Sequence, residues 1–291
     1  MALWIAALLG VIQGIFMFLP VSSTAHMVLA EHWLIAKGYS LPAPDSAEMI
    51  LFALVVHVGT LISIVVVFWS SLWRFTHNAT EGALSWAGRG GREGLPLYFR
   101  LFLLGLFSVL CTGLLGVAFK TSFEQIFGAP WIIAITLTLT GILLWWTDRL
   151  SPRKRGLKKI NWKVAGVIGL AQGFALMPGL SRSAMTIMFS LFTGLKRRWA
   201  AEYSFFLAIP TILAATLVQA IKVYRLDAAN DVSMMALAVG FVVAAIVGIV
   251  SLKLVVYFLY RAQLKVFAFY VWLLALAIAL GWIDLGGPQL V

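Results

Sequence analysis

Charge is what this sequence is shortest of. Of its 291 residues only 11% are Asp, Glu, Lys or Arg, and just 11 are acidic. A soluble domain carries about 25% charged residues, so a water-exposed surface of ordinary size is excluded. Cysteine is nearly absent as well. The single Cys111 lies in an apolar run, which rules out a disulfide framework and a Cys-based metal site. No basic stretch precedes the first apolar run, Lys37 being the first basic residue, so the first helix is expected to stay rather than be removed as a signal peptide.

What is there is largely hydrocarbon. Hydrophobic residues make up 62% of the chain and mean hydropathy is +0.97. Apolar runs recur near the ~20 residues that a spanning helix needs. The expected fold class is therefore an all-α integral membrane protein. Its net charge of +11 fits cytoplasmic loops and anionic lipid headgroups, with no nucleic-acid partner.

Ten helical segments are expected. In the first half they run over 2–19, 22–36, 47–70, 97–119 and 130–147, and in the second over 162–177, 181–194, 198–222, 232–258 and 263–283. The second and seventh are short and polar at their starts. Each is read with its predecessor as a re-entrant pair, which leaves six crossings and inverts one half relative to the other. A single membrane domain results: repeat one at 1–148, a cytoplasmic basic linker at 149–161 and repeat two at 162–291. Sixteen Lys or Arg fall in 71–100, 148–163, 195–198 and 259–265, against Lys37, Lys120, Lys222 and Arg225 on the other side. That asymmetry puts both termini outside.

One charge lies where lipid-like sequence surrounds it. Arg182 sits in Pro178-Gly179-Leu180-Ser181-Arg182-Ser183-Ala184-Met185-Thr186, and an arginine at membrane depth costs ~2.5 to 3.5 kcal/mol on insertion scales unless it faces a partner. Pro178 and Gly179 end one helix, and Ser181 to Ser183 open the next. Hydroxyls, a guanidinium and free N–H groups thereby converge as an outline phosphate cradle. The plain alternative is a helix cap whose arginine pairs with a glutamate.

A second copy of this design stands near the N-terminus. Gly10-Val11-Ile12-Gln13-Gly14 precedes Pro20 and Ser22-Ser23-Thr24-Ala25, as Gly169-Leu170-Ala171-Gln172-Gly173 precedes Pro178 and Ser181-Arg182-Ser183-Ala184, with nine residues from Gln to Ser in both. Matching broken helices in two halves point to a binding site built from both. The Gly-x-x-x-Gly faces are expected to pack the two broken helices on one another. His26, four residues after Ser22 and three after Ser23, shares a helical face with both hydroxyls. The minimum kit for phosphoryl transfer is then Ser23 as nucleophile, His26 as proton carrier and Arg182 as clamp. Gln13, Ser22, His57, Ser181, Ser183 and Thr186 are the candidate substrate-binding residues.

These stretches, with Phe-Leu-Pro-Val-Ser-Ser-Thr-Ala-His at 18–26, His-Val-Gly-Thr-Leu at 57–61 and Ala-Glu-Tyr-Ser-Phe at 201–205, resemble the undecaprenyl-diphosphatase (bacitracin-resistance, UppP/BacA) family nearly end to end. The resemblance implies a multi-pass enzyme of the bacterial plasma (inner) membrane that removes the terminal phosphate of the C55 polyprenyl diphosphate carrier of cell-wall synthesis. It implies catalytic roles for Ser23 and His26, phosphate binding by Ser181, Arg182, Ser183 and Thr186, and a requirement for Mg2+ or Ca2+. Two positions depart from the family pattern, which usually has acidic residues where Met17 and Ala53 stand. The alternative reading is accordingly a polyprenyl-phosphate binding protein or translocator. The metal identity and the oligomeric state stay open, a homodimer being one option.

Overall fold

The computed structural model describes residues 1–43, 46–88, 94–118, 130–177, 179–225 and 233–283. The expectations for Arg89, Arg92, Lys120 and Pro178 fall outside these residues. Among the described residues the chain forms eleven α-helices and no strand, the one β-bridge joining Arg155 and Leu195. In order they are α1 (Leu3–Phe16), α2 (Ser23–Ala36), α3 (Ala47–Val67), α4 (Trp69–Gly88), α5 (Leu97–Ala118), α6 (Pro130–Asp148), α7 (Trp162–Phe174), α8 (Arg182–Phe192), α9 (Arg197–Arg225), α10 (Met234–Tyr260) and α11 (Lys265–Ala279).

Five of these, α3, α5, α6, α9 and α10, contain stretches long and apolar enough to cross a membrane. The sixth expected crossing corresponds to α11, a shorter apolar helix of 15 residues, about 22 Å by the helical rise. The protein is a multi-pass membrane protein.

The stretch 71–100, read from sequence as a loop, is mostly helical. After a break at Phe68 the chain continues as α4, which exposes Trp69, Trp73 and Leu84 and buries Ala79 and Gly82. Its polar residues alternate with apolar ones at helical spacing, so it is amphipathic rather than spanning, and a search for apolar runs passes over it.

The basic loops gather at one end of the bundle. Arg155 N–H donates to Gly194 O and Lys196 N–H to Arg155 O. Arg100 donates to Lys158 O, Arg197 donates to Thr147 O, and Asp148 accepts from the Lys265 N–H at 2.7 Å. Since α7 starts and α8 ends there, that helix pair doubles back to the basic end. The α1–α2 pair doubles back to the other end, where Trp4 meets Tyr39 edge-on at 4.9 Å and Ile5, Leu34, Met49 and Leu237 share one apolar cluster. The tips of the two pairs meet inside the bundle, where Met17 and Phe18 pack in one core with Leu180, Ala184 and Met185.

The glycine faces do not join α1 to α7 as expected. Each packs on a different long helix. A Cβ on Gly10 would come within 2.8 Å of Gly240 O and one on Gly14 within 2.9 Å of Ala244 O, both on α10, whereas one on Gly169 would meet Ser108 O of α5 at 2.5 Å. Sequence shows a small-residue face but not what it meets, and here the small residues Gly240 and Ala244 lie opposite. Gly14→Val should therefore destabilise the purified protein by about 1–3 kcal/mol through overpacking. Gly105→Ala, where a Cβ meets nothing within 4 Å, should not; thermal unfolding in detergent compares the two.

Candidate active site

The two broken helices set the site. Helix α1 ends at Phe16, and the chain turns through Ser22, whose φ of 71° and ψ of 94° lie in a region that non-glycine residues seldom occupy. Helix α2 then begins at Ser23. In the second pair, Gly179 at φ 85° makes the turn, and the Ser181 hydroxyl caps α8 by accepting from the Ala184 N–H. The backbone N–H groups of Arg182 and Ser183 are left at the helix start, where an anion is favoured. Thr186 braces this turn from behind, its hydroxyl bonding to Arg182 O and to the Ser204 hydroxyl.

Between the tips lies a cavity of about 470 Å³ lined by Ser22, Ser23, His57, Ser181 and Arg182, with Met17, Thr24, Glu31, Thr211 and Gln219 also facing it. Met49, in the first turn of α3, and Gln219, far along α9 from Arg197, also line it, so it extends toward the end opposite the basic loops. Five of the nine expected site residues thus share one space. The other four stand behind it. Gln13 is fully buried against Met17, Ser183 bonds to the Ser181 hydroxyl at 3.1 Å, Thr186 supports α8, and His26 turns away.

His26 meets Ser22 as the four-residue spacing implies, but through the backbone. Its Nδ1 is 2.7 Å from Ser22 O, its Nε2 is 2.7 Å from the Tyr270 hydroxyl, and Phe16 stacks on the ring at 3.7 Å. Sequence gives no sign of Tyr270, an isolated tyrosine in an apolar helix. The Ser23 hydroxyl has no hydrogen-bond partner among the described residues and faces the cavity.

Arg182 is the decisive group. No carboxylate pairs with it among the described residues, whose ion pairs are His77–Glu81, Arg197–Asp148 and Arg198–Glu202. Its side-chain hydrogen-bond partner among the described residues is the Met17 sulfur at 3.6 Å, which also receives the Gln13 amide at 3.4 Å. A thioether is a weak acceptor and neutralises nothing. Among the described residues, then, Arg182 is not a capping arginine tied to a glutamate.

The donor set does not fit a protein-held Mg2+ or Ca2+. Among the described residues no group of three or more His, Cys, Asp or Glu could hold a metal, and the cavity offers one carboxylate, Glu31. Such ions take several oxygen ligands. The chemistry the protein itself supplies is a guanidinium, hydroxyls and an imidazole.

A half-buried arginine, unpaired with any carboxylate among the described residues and beside free hydroxyls, is the arrangement expected of membrane proteins that grip an anionic, phosphate-like head within a helical bundle. The model for the bacitracin resistance protein BacA matches residues 6–277, and the chain belongs to that family. It is 80% identical to the undecaprenyl-diphosphatase of Alkalilimnicola ehrlichii over 98% of both chains. It is 71% identical to that of Halorhodospira halophila over 98% of this chain and 99% of the relative, and 35% identical to that of Thermodesulfovibrio yellowstonii over 94% and 95%.

Truncating one side of a buried charge contact costs about 2–5 kcal/mol. Arg182→Ala should therefore weaken binding of a non-hydrolysable prenyl diphosphonate by roughly 30- to several-thousand-fold, read by calorimetry, while Glu31→Gln should weaken it far less.

Proposed function

We propose that this protein is an undecaprenyl-diphosphatase, which hydrolyses a C55 polyprenyl diphosphate to the monophosphate and phosphate and so recycles the lipid carrier of cell-wall synthesis. The observation that carries this is Arg182 with hydroxyls around it and no carboxylate paired with it among the described residues. A diphosphate head supplies the missing negative charge, and the polyprenyl tail stays in lipid.

The chemistry follows from the groups at the cavity. Ser23 attacks the terminal phosphorus, while Arg182, the Ser181 hydroxyl and the N–H groups opening α8 take the oxygens on which charge builds. Ser22 and His57 complete the near wall. Gln13, Ser183 and Thr186 act from behind by holding these turns. Preorganisation matters because hydrogen-bond donors fixed in a dry site need no rearrangement as charge develops.

The basic end belongs at the cytoplasmic face by the charge asymmetry, so the cavity opens outward and both termini lie outside the bacterial inner membrane. The helix pairs returning to opposite ends support two inverted repeats, at 1–148 and 162–291, joined by the basic linker 149–161. A sixth crossing by α11 completes this topology.

Met17 at the guanidinium, where a carboxylate is usual in the family, gives the second reading its footing: a polyprenyl-phosphate binding protein or translocator grips the same head without hydrolysing it. Phosphate release from farnesyl or undecaprenyl diphosphate by purified protein decides between them. The diphosphatase reading expects release that Ser23→Ala reduces to background with binding retained. The second reading expects a silent wild type that Met17→Glu activates.

A further inference from the structure

Two histidines stand near Ser23, and their hydrogen bonds set them apart. In each, Nδ1 lies 2.7 Å from the carbonyl oxygen four residues earlier, Ser22 O for His26 and Ala53 O for His57. A carbonyl only accepts, so Nδ1 carries the hydrogen and Nε2 is the basic nitrogen of each neutral ring. His26 Nε2 accepts from the Tyr270 hydroxyl, and the ring does not face the cavity. His57 Nε2 has no protein partner among the described residues, and its ring lines the cavity with Ser23 and Arg182.

Among the described residues the other ionisable groups there are Arg182 from α8 and Glu31 from α2. The described cavity-lining residues of α1 and α9 carry none, and α4 and α10 contribute no described lining residue. Arginine stays protonated and is no base. Glu31 lies eight residues beyond Ser23 on the same helix, about 12 Å further along by the rise of 1.5 Å per residue. Proton transfer needs about 2.6–3.2 Å, or one intervening water. Glu31 is out of range of a phosphate held at Ser23.

We infer that His57 is the proton carrier of the reaction and that His26 with Tyr270 is a positioning pair that holds the turn before Ser23. This rests on the diphosphatase reading. As the Ser23 Oγ–P bond forms, the hydroxyl proton passes to His57 Nε2. The bond from the terminal phosphorus to the bridging oxygen breaks, and the polyprenyl monophosphate leaves with that oxygen and its electron pair, taking the proton from His57. Water then attacks the phosphoserine, its proton going to His57. Phosphate departs, and Ser23 Oγ recovers the proton. His26 acts at a distance from these atoms: it bonds the carbonyl of Ser22, which sits at φ 71°, and Tyr270 fixes its tautomer.

The test uses the purified full chain with farnesyl diphosphate, the pH profile of kcat, and calorimetric binding of farnesyl methylenediphosphonate. Because His57 must be neutral to accept a proton, the rate rises with pH through its titration. His57→Gln should lower kcat by about 10²–10⁴-fold, abolish that acid limb and leave diphosphonate affinity within a few-fold. His57→Ala should regain activity with added imidazole. His26→Gln and Tyr270→Phe should keep the limb. A limb retained in His57→Gln, or lost in His26→Gln, overturns the assignment. If Ser23→Ala abolishes release while His57→Gln keeps rate and limb, only the proton carrier is wrong. Full release by Ser23→Ala removes the diphosphatase site itself.

Discussion

The structure turns on a guanidinium held inside an apolar bundle with no ion-pair partner among the described residues. Placing Arg182 there costs free energy that no described residue recovers by pairing, since its side-chain hydrogen-bond partner among them is a methionine sulfur. A buried charge is kept when it is paired or when it works. In this fold it is presented at a helix start, among donors that favour the same sign of ligand, and next to an unengaged serine hydroxyl. Every other feature of the site serves to hold those groups at depth.

Depth is achieved by two helices broken in the middle. An unbroken helix would hide its N–H groups in its own ladder, whereas a break exposes them, and exposed backbone is tolerated only where protein or a cavity surrounds it. The left-handed turns at Ser22 and Gly179 make the breaks. Small residues bring α1 against α10 and α7 against α5 closely enough to support them. The acceptors Gln13 Oε1 and Gln172 Oε1, each nine residues before a site serine, are buried without partners among the described residues, a strain the tips carry on both sides.

Much of this could be read in the residues themselves. The nine-residue spacing from Gln13 to Ser22 and from Gln172 to Ser181 placed both breaks, and runs of apolar residues placed the long helices. What escaped has physical causes. Helix α4 has too little hydropathy to register as a span. The glycine faces reveal close packing but are mute about the partner, so sequence pairs α1 with α7, whereas they pack on α10 and α5. The i,i+4 spacing brought His26 to Ser22 correctly, yet spacing does not distinguish a hydroxyl from a carbonyl. Tyr270 is 244 positions from His26, beyond the reach of any local pattern, and Glu31 reads as an ordinary polar residue until the cavity is seen.

The central claim is that a diphosphate head is what Arg182 is held inside the bundle to meet. The most direct measurement is an experimental structure with farnesyl methylenediphosphonate bound. The account predicts both phosphonates between the Arg182 guanidinium and Ser23 Oγ, with the prenyl chain leaving toward lipid. A ligand seated elsewhere, or Arg182 turned to a carboxylate while it binds, would contradict it.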